Sequence, residues 1–313
     1  MIIVTHNGSF HADDVFSIAA LKLLFTNVEV IRTRDPKIIE KADIVVDVGQ
    51  VYNHDLKRYD HHQKGGAGVH EQTGIKMSSI GLIWKHYGLG IIKNVLEELN
   101  IIHPIEILKQ IADRINWNLI QLIDAGDTGM AIHEQIYNGV QPYTISQIIS
   151  NCNPDWNSDE DFTFDEAFEE ALILAKPIIV NEIHCSEANI SARSHVLEYI
   201  QEAQTSKNPR VIIFKQHMPW MGTVIKNTYD ELYVVYPGPT GEDWRIQCIP
   251  DKVGSFGKRK PLPESWADLE HEKLNKIIGI DDATFAHGAR FIAGAKSLES
   301  VLKMAEIAIN SKE

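Results

Sequence analysis

The sequence predicts an α/β chain in two parts: a parallel-sheet N-terminal domain and a second, smaller α/β C-terminal domain. Three observations carry that expectation. Short apolar runs alternate with amphipathic ones through the first third of the chain, the pattern of a parallel sheet covered on both faces. A polar stretch from Asn138 to Asp161, crowded with Asn, Asp, Pro and Ser, interrupts that pattern and reads as a domain linker. A long helical pattern then leads into further short strands and a final helix.

Ile2-Ile3-Val4-Thr5 reads as a buried strand, and Val15 to Leu24 as a helix of good helix formers. Val28 to Arg32 predicts a second strand, Pro36 to Glu40 a short helical crossover, and Ile44 to Gly49 a third, strongly apolar strand. Helices are expected over Met77 to Tyr87, 91–99, 105–120 and from Asp165 past Leu197. The C-terminal part predicts strands at Val211–Phe214, Glu231–Tyr236 and Trp244–Ile249, then a helix from Leu298 to Ile309. No internal repeat is visible.

The chain has 313 residues, 44% of them hydrophobic and 23% charged, enough for a sizeable core and contrary to general disorder. No apolar run approaches the roughly 18 residues needed to span a bilayer. Met1 leads straight into Ile2-Ile3-Val4, so no signal or transit peptide is expected. Cys152, Cys185 and Cys248 are odd in number and far apart, which fits neither a disulfide framework nor a CxxC zinc site and points to a cytoplasmic protein. The formal net charge of −13 argues against a broad surface coating nucleic acid, since phosphate binding needs clustered Lys and Arg.

Four segments supply His and Asp at corresponding places. The first strand ends in Thr5-His6-Asn7-Gly8-Ser9-Phe10-His11-Ala12-Asp13-Asp14; the third is interrupted by Asp47; then come Asp60-His61-His62 and Asp124-Ala125-Gly126-Asp127. In an open parallel sheet, ligands collect beyond the carboxyl ends of the strands, where His6, Asp13 and Asp47 are expected. Taken singly, Asp13 and Asp14 read as first-turn acids complementing a helix dipole, His6 as a loop histidine, and Asp124 or Asp127 as turn residues. Asp47 is harder to dismiss, because an ionised carboxylate inside an apolar strand costs several kcal/mol unless paired or coordinated. The coincidence of all four segments points to metal. Imidazole and carboxylate donors without thiolate suit Mn²⁺ first, then Zn²⁺, Co²⁺ or Fe²⁺. Their number exceeds what one cation needs, and paired ions about 3.5–4 Å apart are the usual arrangement for phosphoester hydrolysis. Asp47 is the choice for a bridging carboxylate. Dinucleotide-binding, P-loop, nucleophile-elbow and HExxH motifs are all missing from the sequence.

Those segments, "THNGSFHADD", "VVDVG", "YDHHQ" and "GDTG", resemble the four ordered motifs of the DHH phosphoesterase superfamily. The longer stretches "RTRDP", "KMSSIGLIWKHYG", "RKPLPESW" and "FAHGARFIAGAKSLESVLKMA" look like one branch of it, the melanocyte proliferating gene product family. The resemblance implies a DHH-type metal-binding catalytic domain over 1–155, and a helical connector plus substrate-binding domain over 156–313. It implies two divalent ions, usually Mn²⁺ with Mg²⁺ also possible, and 3′→5′ exonuclease action on RNA or short oligonucleotides. It assigns His6, Asp13, Asp47, His61 and Asp127 to the metals and sets His62 against the substrate phosphate. Asp60 is expected to orient one imidazole.

This sequence departs from the superfamily in having His11 where many members carry an aspartate, which makes His11 a sixth ligand. Asp124 and Asp127 compete for the fourth motif, with Asp127 preferred. In the second domain Lys258-Arg259-Lys260 is a candidate phosphate clamp, although three basic residues also suit a solvated loop. His287 and Arg290 precede the last helix, where the guanidinium could fork onto a phosphate or join a structural ion pair. Hydrolysis of a small phosphate (pyrophosphate, a cyclic dinucleotide or a nucleoside bisphosphate) and a non-catalytic metal-bound scaffold are the alternative functions.

Overall fold

The computed structural model describes residues 1–134, 136–158 and 162–312. The chain divides into two compact units, Met1–Glu187 and Ala188–Glu313. The division falls inside a single helix, α7, Phe164–Gln204.

The first unit is built on a five-stranded sheet. Its strands are β1 (Ile2–Thr5), β2 (Glu29–Arg32), β3 (Ile44–Val46), β4 (Tyr52–Asn53) and β5 (Arg58–Tyr59), in the order β2-β1-β3-β5-β4. The first four in that order run parallel, and only the edge strand β4 is antiparallel to its neighbour. Ile3, Val4, Ile44, Val45 and Val46 are fully buried, as runs of β-branched residues in a covered parallel sheet should be.

The crossover from β1 to β2 is α1 (Ala12–Leu24), which begins three residues earlier than the apolar pattern predicts. Every residue from Ala12 to Leu21 is buried, so its first-turn acids, Asp13 and Asp14, are core residues. They are therefore not surface acids complementing the helix dipole. α1 packs chiefly against α3 (Ser79–Glu97), one continuous helix where two were expected. The helix expected over 105–120 is α4 (Ile105–Ile115) followed by one π-helical turn, Asn116–Ile120, and then α5 (Gln121–Asp127). Such a turn shifts the helical register, and the acids of the fourth motif lie just beyond it.

The polar stretch expected to be a linker is folded onto the first unit. It holds the short helix α6 (Ile145–Ser150), and Asn153 makes reciprocal 2.9 Å hydrogen bonds with the backbone of Phe10. Asp159, Glu160 and Asp161, the end of that stretch, lie outside the described residues. No helix among the described residues is long and apolar enough to cross a membrane.

The second unit carries a mixed sheet of β6 (Val211–Ile213), β7 (Tyr233–Pro237), β8 (Trp244–Cys248), β9 (Ala283–Ala286) and β10 (Ile292–Ala295), ordered β6-β7-β8-β10-β9. Only β6 and β7 pair in parallel. A helix α8 (Met221–Asn227) follows β6, and the final helix α10 (Leu298–Asn310) buries Val301, Met304, Ala305 and Ala308 against the sheet. The helix α9 (His271–Ile278) and the strands β9 and β10 that follow it escape the sequence reading, the strands because their runs are short and built partly from Ala and Gly.

One buried carboxylate fixes the start of α3. Asp124 Oδ1 accepts from Ser78 N (3.0 Å), Ser78 Oγ (2.7 Å) and Gly81 N (3.1 Å), while Oδ2 meets His70 Nε2 at 2.6 Å. A Cβ on Gly81 would stand 2.2 Å from Asp124 Oδ2. In an open helix Gly→Ala stabilises by about 1 kcal/mol; here Gly81→Ala is expected to destabilise by about 2 kcal/mol or more, read from the midpoint of denaturant unfolding. An unchanged or raised midpoint would contradict this packing.

Candidate metal centre

The loops leaving β1, β3 and β5 and the first turn of α1 bring three of the four sequence segments together at the carboxyl end of the parallel strands. The fourth-motif residue Asp127 arrives from the end of α5. Asp47 stands one residue past β3, not within it, and takes a left-handed backbone (φ 56°). Asp is among the few residues that adopt this conformation at modest cost. Its amide donates to the Tyr59 carbonyl at 3.0 Å, and its side chain is buried.

Asp47 is the hub. Oδ2 lies 3.3 Å from His6 Nε2, and Oδ1 lies 3.3 Å from His61 Nε2 and 3.5 Å from His62 Nδ1. Ser79 Oγ at the start of α3 donates to Oδ1 at 2.9 Å. His61 Nε2 is also 3.2 Å from Asp127 and 3.7 Å from Asp13, yet it is buried and makes no hydrogen bond of good geometry. One imidazole nitrogen facing three carboxylates without such a bond is an arrangement that could hold a metal ion. Asp13 Oδ1 and Asp14 Oδ2 are likewise buried without a hydrogen-bond partner. A native core rarely leaves such groups unsatisfied unless a water or ion serves them.

Among the described residues, three groups of donors lie close enough to hold a metal ion: His6, Asp14 and Asp47; Asp47, His61 and His62; and His11, Asp13 and Asp127. All six residues assigned to metal from the sequence fall within these groups. Asp14 and Ser79 are the residues the sequence reading missed. Asp14 accepts from His11 N (2.9 Å) and Val15 N (2.8 Å) through Oδ1 and turns Oδ2 to His6 Nε2 at 3.3 Å. Its signal was the adjacent Asp13-Asp14 pair. Ser79 offers no signal by type, yet its amide also meets Asp13 Oδ2 at 3.3 Å.

The charges are strongly coupled. Burial pushes Asp13 well above the ordinary carboxylate range, reinforced by the nearby Asp47 and Asp127, and pushes Asp14 up to about 7. Asp127 is also raised by burial, with His61 opposing. Burial acts on Asp47 in the same sense, but His6 and His61, each 3.3 Å from one of its oxygens, outweigh it and hold Asp47 below the ordinary range. His6 and His61 are raised despite burial because each faces Asp47. Asp47 is thus the carboxylate held most firmly as an anion, at the point shared by two donor groups.

Asp60 serves the centre without joining it. Its Oδ2 accepts from Gln50 N at 2.6 Å, and its Oδ1 from His62 N at 2.9 Å and His62 Nδ1 at 2.8 Å. This fixes the His62 ring, whose side chain remains 56% exposed. Asp124, the competitor of Asp127, stands apart, bound to His70, Ser78 and Gly81. Arg32 steadies the loop after β1: Nη2 donates to the Gly8 carbonyl at 2.5 Å and Nη1 to Asp165 at 2.7 Å, with the guanidinium 4.5 Å from the Phe168 ring centre.

The basic residues singled out in the second unit are engaged within it. Arg259 donates to Thr228 Oγ1 (2.8 Å) and to the Glu231 and Thr228 carbonyls (3.0 and 2.7 Å), closing the end of α8. Lys260 Nζ donates to the Ile309 and Ser311 carbonyls (2.8 and 2.9 Å), capping α10. A clamp formed by the whole triplet is therefore not what the geometry offers, because two of its three charges sit on helix ends. Lys258 Nζ is 3.4 Å from the Phe256 carbonyl. Arg290 takes φ 61° and donates from Nε to the Leu262 carbonyl at 2.7 Å, and His287 Nδ1 accepts from Ala289 N at 3.0 Å.

Known proteins extend the match beyond these motifs. A family model named MYG1_exonuc and described as uncharacterised protein family UPF0160 matches residues 2–309. The MYG1 protein of Schizosaccharomyces pombe is 31% identical over 98% of this chain and 97% of its own length. The human and rat proteins, both named MYG1 exonuclease, are each 32% identical over 96% of this chain, covering 84% and 82% of their own lengths. The chain belongs to the MYG1 family, UPF0160.

Proposed function

We propose that this protein is a metal-dependent phosphodiesterase, a 3′→5′ exonuclease acting on RNA or short oligonucleotides with two divalent ions, Mn²⁺ first among them. The observation that carries the reading is the sharing of Asp47: its two oxygens face different histidines, 3.3 Å from each, in two donor groups. The printed names of the human and rat relatives and the resemblance to DHH phosphoesterases support the same chemistry.

The donor set fits such ions. Buried oxygens on Asp13 and Asp14 and a buried nitrogen on His61 have no hydrogen-bond partner, and the donors are nitrogen and oxygen without sulfur. Asp47 would bridge, His6 and Asp14 would complete one side, and His11, His61, Asp13 and Asp127 the other. When bound, the ions would supply a water of lowered pKa and neutralise charge on the phosphoryl oxygens. The remaining work falls to side chains. Asp60 accepts from His62 Nδ1, so the imidazolium form of His62 presents a proton at Nε2 to a phosphoryl or leaving oxygen. Ser79 holds one Asp47 oxygen in place. The Lys64 to Gly68 run after this motif forms a lip, with positive φ at Gly65, Gly66 and Gly68.

We assign the catalytic role to the first unit and substrate binding to the second, through Lys258, His287 and Arg290 of the expected set. We assign the protein to the reducing cytoplasm, which suits its three widely spaced cysteines. A second reading, hydrolysis of a small phosphate, is favoured by the net charge of −13.

Three outcomes are expected. Turnover of a short RNA requires Mn²⁺ or a similar ion; full turnover in EDTA would sink the reading. Asp47→Asn abolishes turnover at every metal concentration while leaving the circular dichroism spectrum intact. Asp14→Asn weakens Mn²⁺ binding by about tenfold or more in calorimetry; unchanged affinity would remove Asp14 from the centre. A panel of labelled oligonucleotides beside pyrophosphate and cyclic dinucleotides separates the two readings.

A further inference from the structure

Two clefts of the first unit open on the metal centre from different sides and share His11 and His62. One, of about 900 Å³, is lined by the loops after β1, β2 and β3, including Asn7, Arg34, Pro36 and Gln50. The other, of about 700 Å³, lies against α5 and α6 and includes Asp127, His133, Gln141, Pro142 and Gln147. Both are large enough for a nucleotide unit.

Their charges differ. Arg34 is the sole Lys or Arg lining the first cleft, where Glu40 opposes it, and the second has none. No Lys or Arg occurs between Arg114 and Lys176, the stretch that supplies most of the second cleft's lining. Arg34 is held in position: Nη1 donates to the Asn7 carbonyl and to Asn7 Oδ1, the latter at 2.9 Å. That leaves Nε and Nη2 without a protein partner among the described residues. A fixed guanidinium with spare donors suits a phosphate oxygen. A cleft that offers no Lys or Arg and, beyond the centre's own His11, His61, His62 and Asp127, is lined by His133 and by amide and hydroxyl groups suits a nucleoside and disfavours a terminal phosphate, which adds about −1.5 to −2 charge at neutral pH.

Resting on the exonuclease reading above, we propose that the two clefts take opposite sides of the scissile bond. The Arg34 cleft holds the phosphodiester of the upstream chain. The cleft without Lys or Arg holds the 3′-terminal nucleoside and requires its 3′-hydroxyl to be free. Arg34 and the lining of the second cleft thereby set which strand ends the enzyme accepts.

The test compares di- and trinucleotides ending in a 3′-hydroxyl or a 3′-phosphate, with kcat and KM measured separately. Strand binding to the Asp47→Asn protein is followed by fluorescence anisotropy. A 3′-phosphate is expected to lower kcat/KM by about tenfold or more, and a 5′-phosphate on the trinucleotide to leave it within about twofold. Arg34→Ala should raise KM and weaken binding about tenfold for the trinucleotide, with little change for the dinucleotide, which has no upstream phosphodiester. Gln141→Arg should recover most of the loss caused by the 3′-phosphate. Equal cleavage of both 3′ ends, or an Arg34→Ala effect independent of length, would overturn the assignment of the clefts while leaving the exonuclease reading standing. Failure to cleave any strand with any divalent ion would overturn both.

Discussion

The first unit is organised around one buried carboxylate. Asp47 is kept ionised in a site that penalises charge, and it can be so only because His6 and His61 approach its two oxygens from opposite sides. That requirement fixes the loop after β1, which must deliver His6, and the turn after β5, which must deliver His61. It also explains the left-handed backbone at Asp47 itself (φ 56°): continuing the strand would carry the side chain out of reach of both rings. The core packing of α1 against α3 then brings Asp13, Asp14 and Ser79 to the same point, so the sheet, the two helices and the charge cluster depend on one another.

The two acidic motif residues of α5 illustrate how neighbouring carboxylates acquire different work. Asp124 spends both oxygens on Ser78, Gly81 and His70 and so anchors the start of α3. Asp127, one turn later, is only partly satisfied and faces His61. The first is a rigid support for the helix that carries Ser79, and the second belongs to the centre. The sequence spacing alone could not separate them, since both lie in the same Asp-x-x-Asp turn; what separates them is the position of His70 and of the glycine at 81.

Much of the first unit was legible because its signals are strong. Apolar runs such as Ile2-Ile3-Val4 and Ile44-Val45-Val46 can only be covered strands, and motifs that pair His with Asp at strand ends point to one edge of the sheet. Asp14 was hidden because an acid in a first helical turn is ordinarily a surface residue, and only the burial of α1 all round from Ala12 to Leu21 makes it otherwise. Ser79 was hidden because a hydroxyl carries no signature of its own. In the second unit the reading ran thin: β9 and β10 are short and built partly from Ala and Gly, and Arg259 and Lys260 proved to be helix-end caps, a role that depends on where α8 and α10 finish in space.

The central claim is that two ions share Asp47. Crystals grown with Mn²⁺ and measured at the manganese absorption edge test it directly. The account predicts two anomalous peaks about 3.5–4 Å apart, each within coordination distance of one Asp47 oxygen. A single peak, or a pair that leaves Asp47 out, would contradict it.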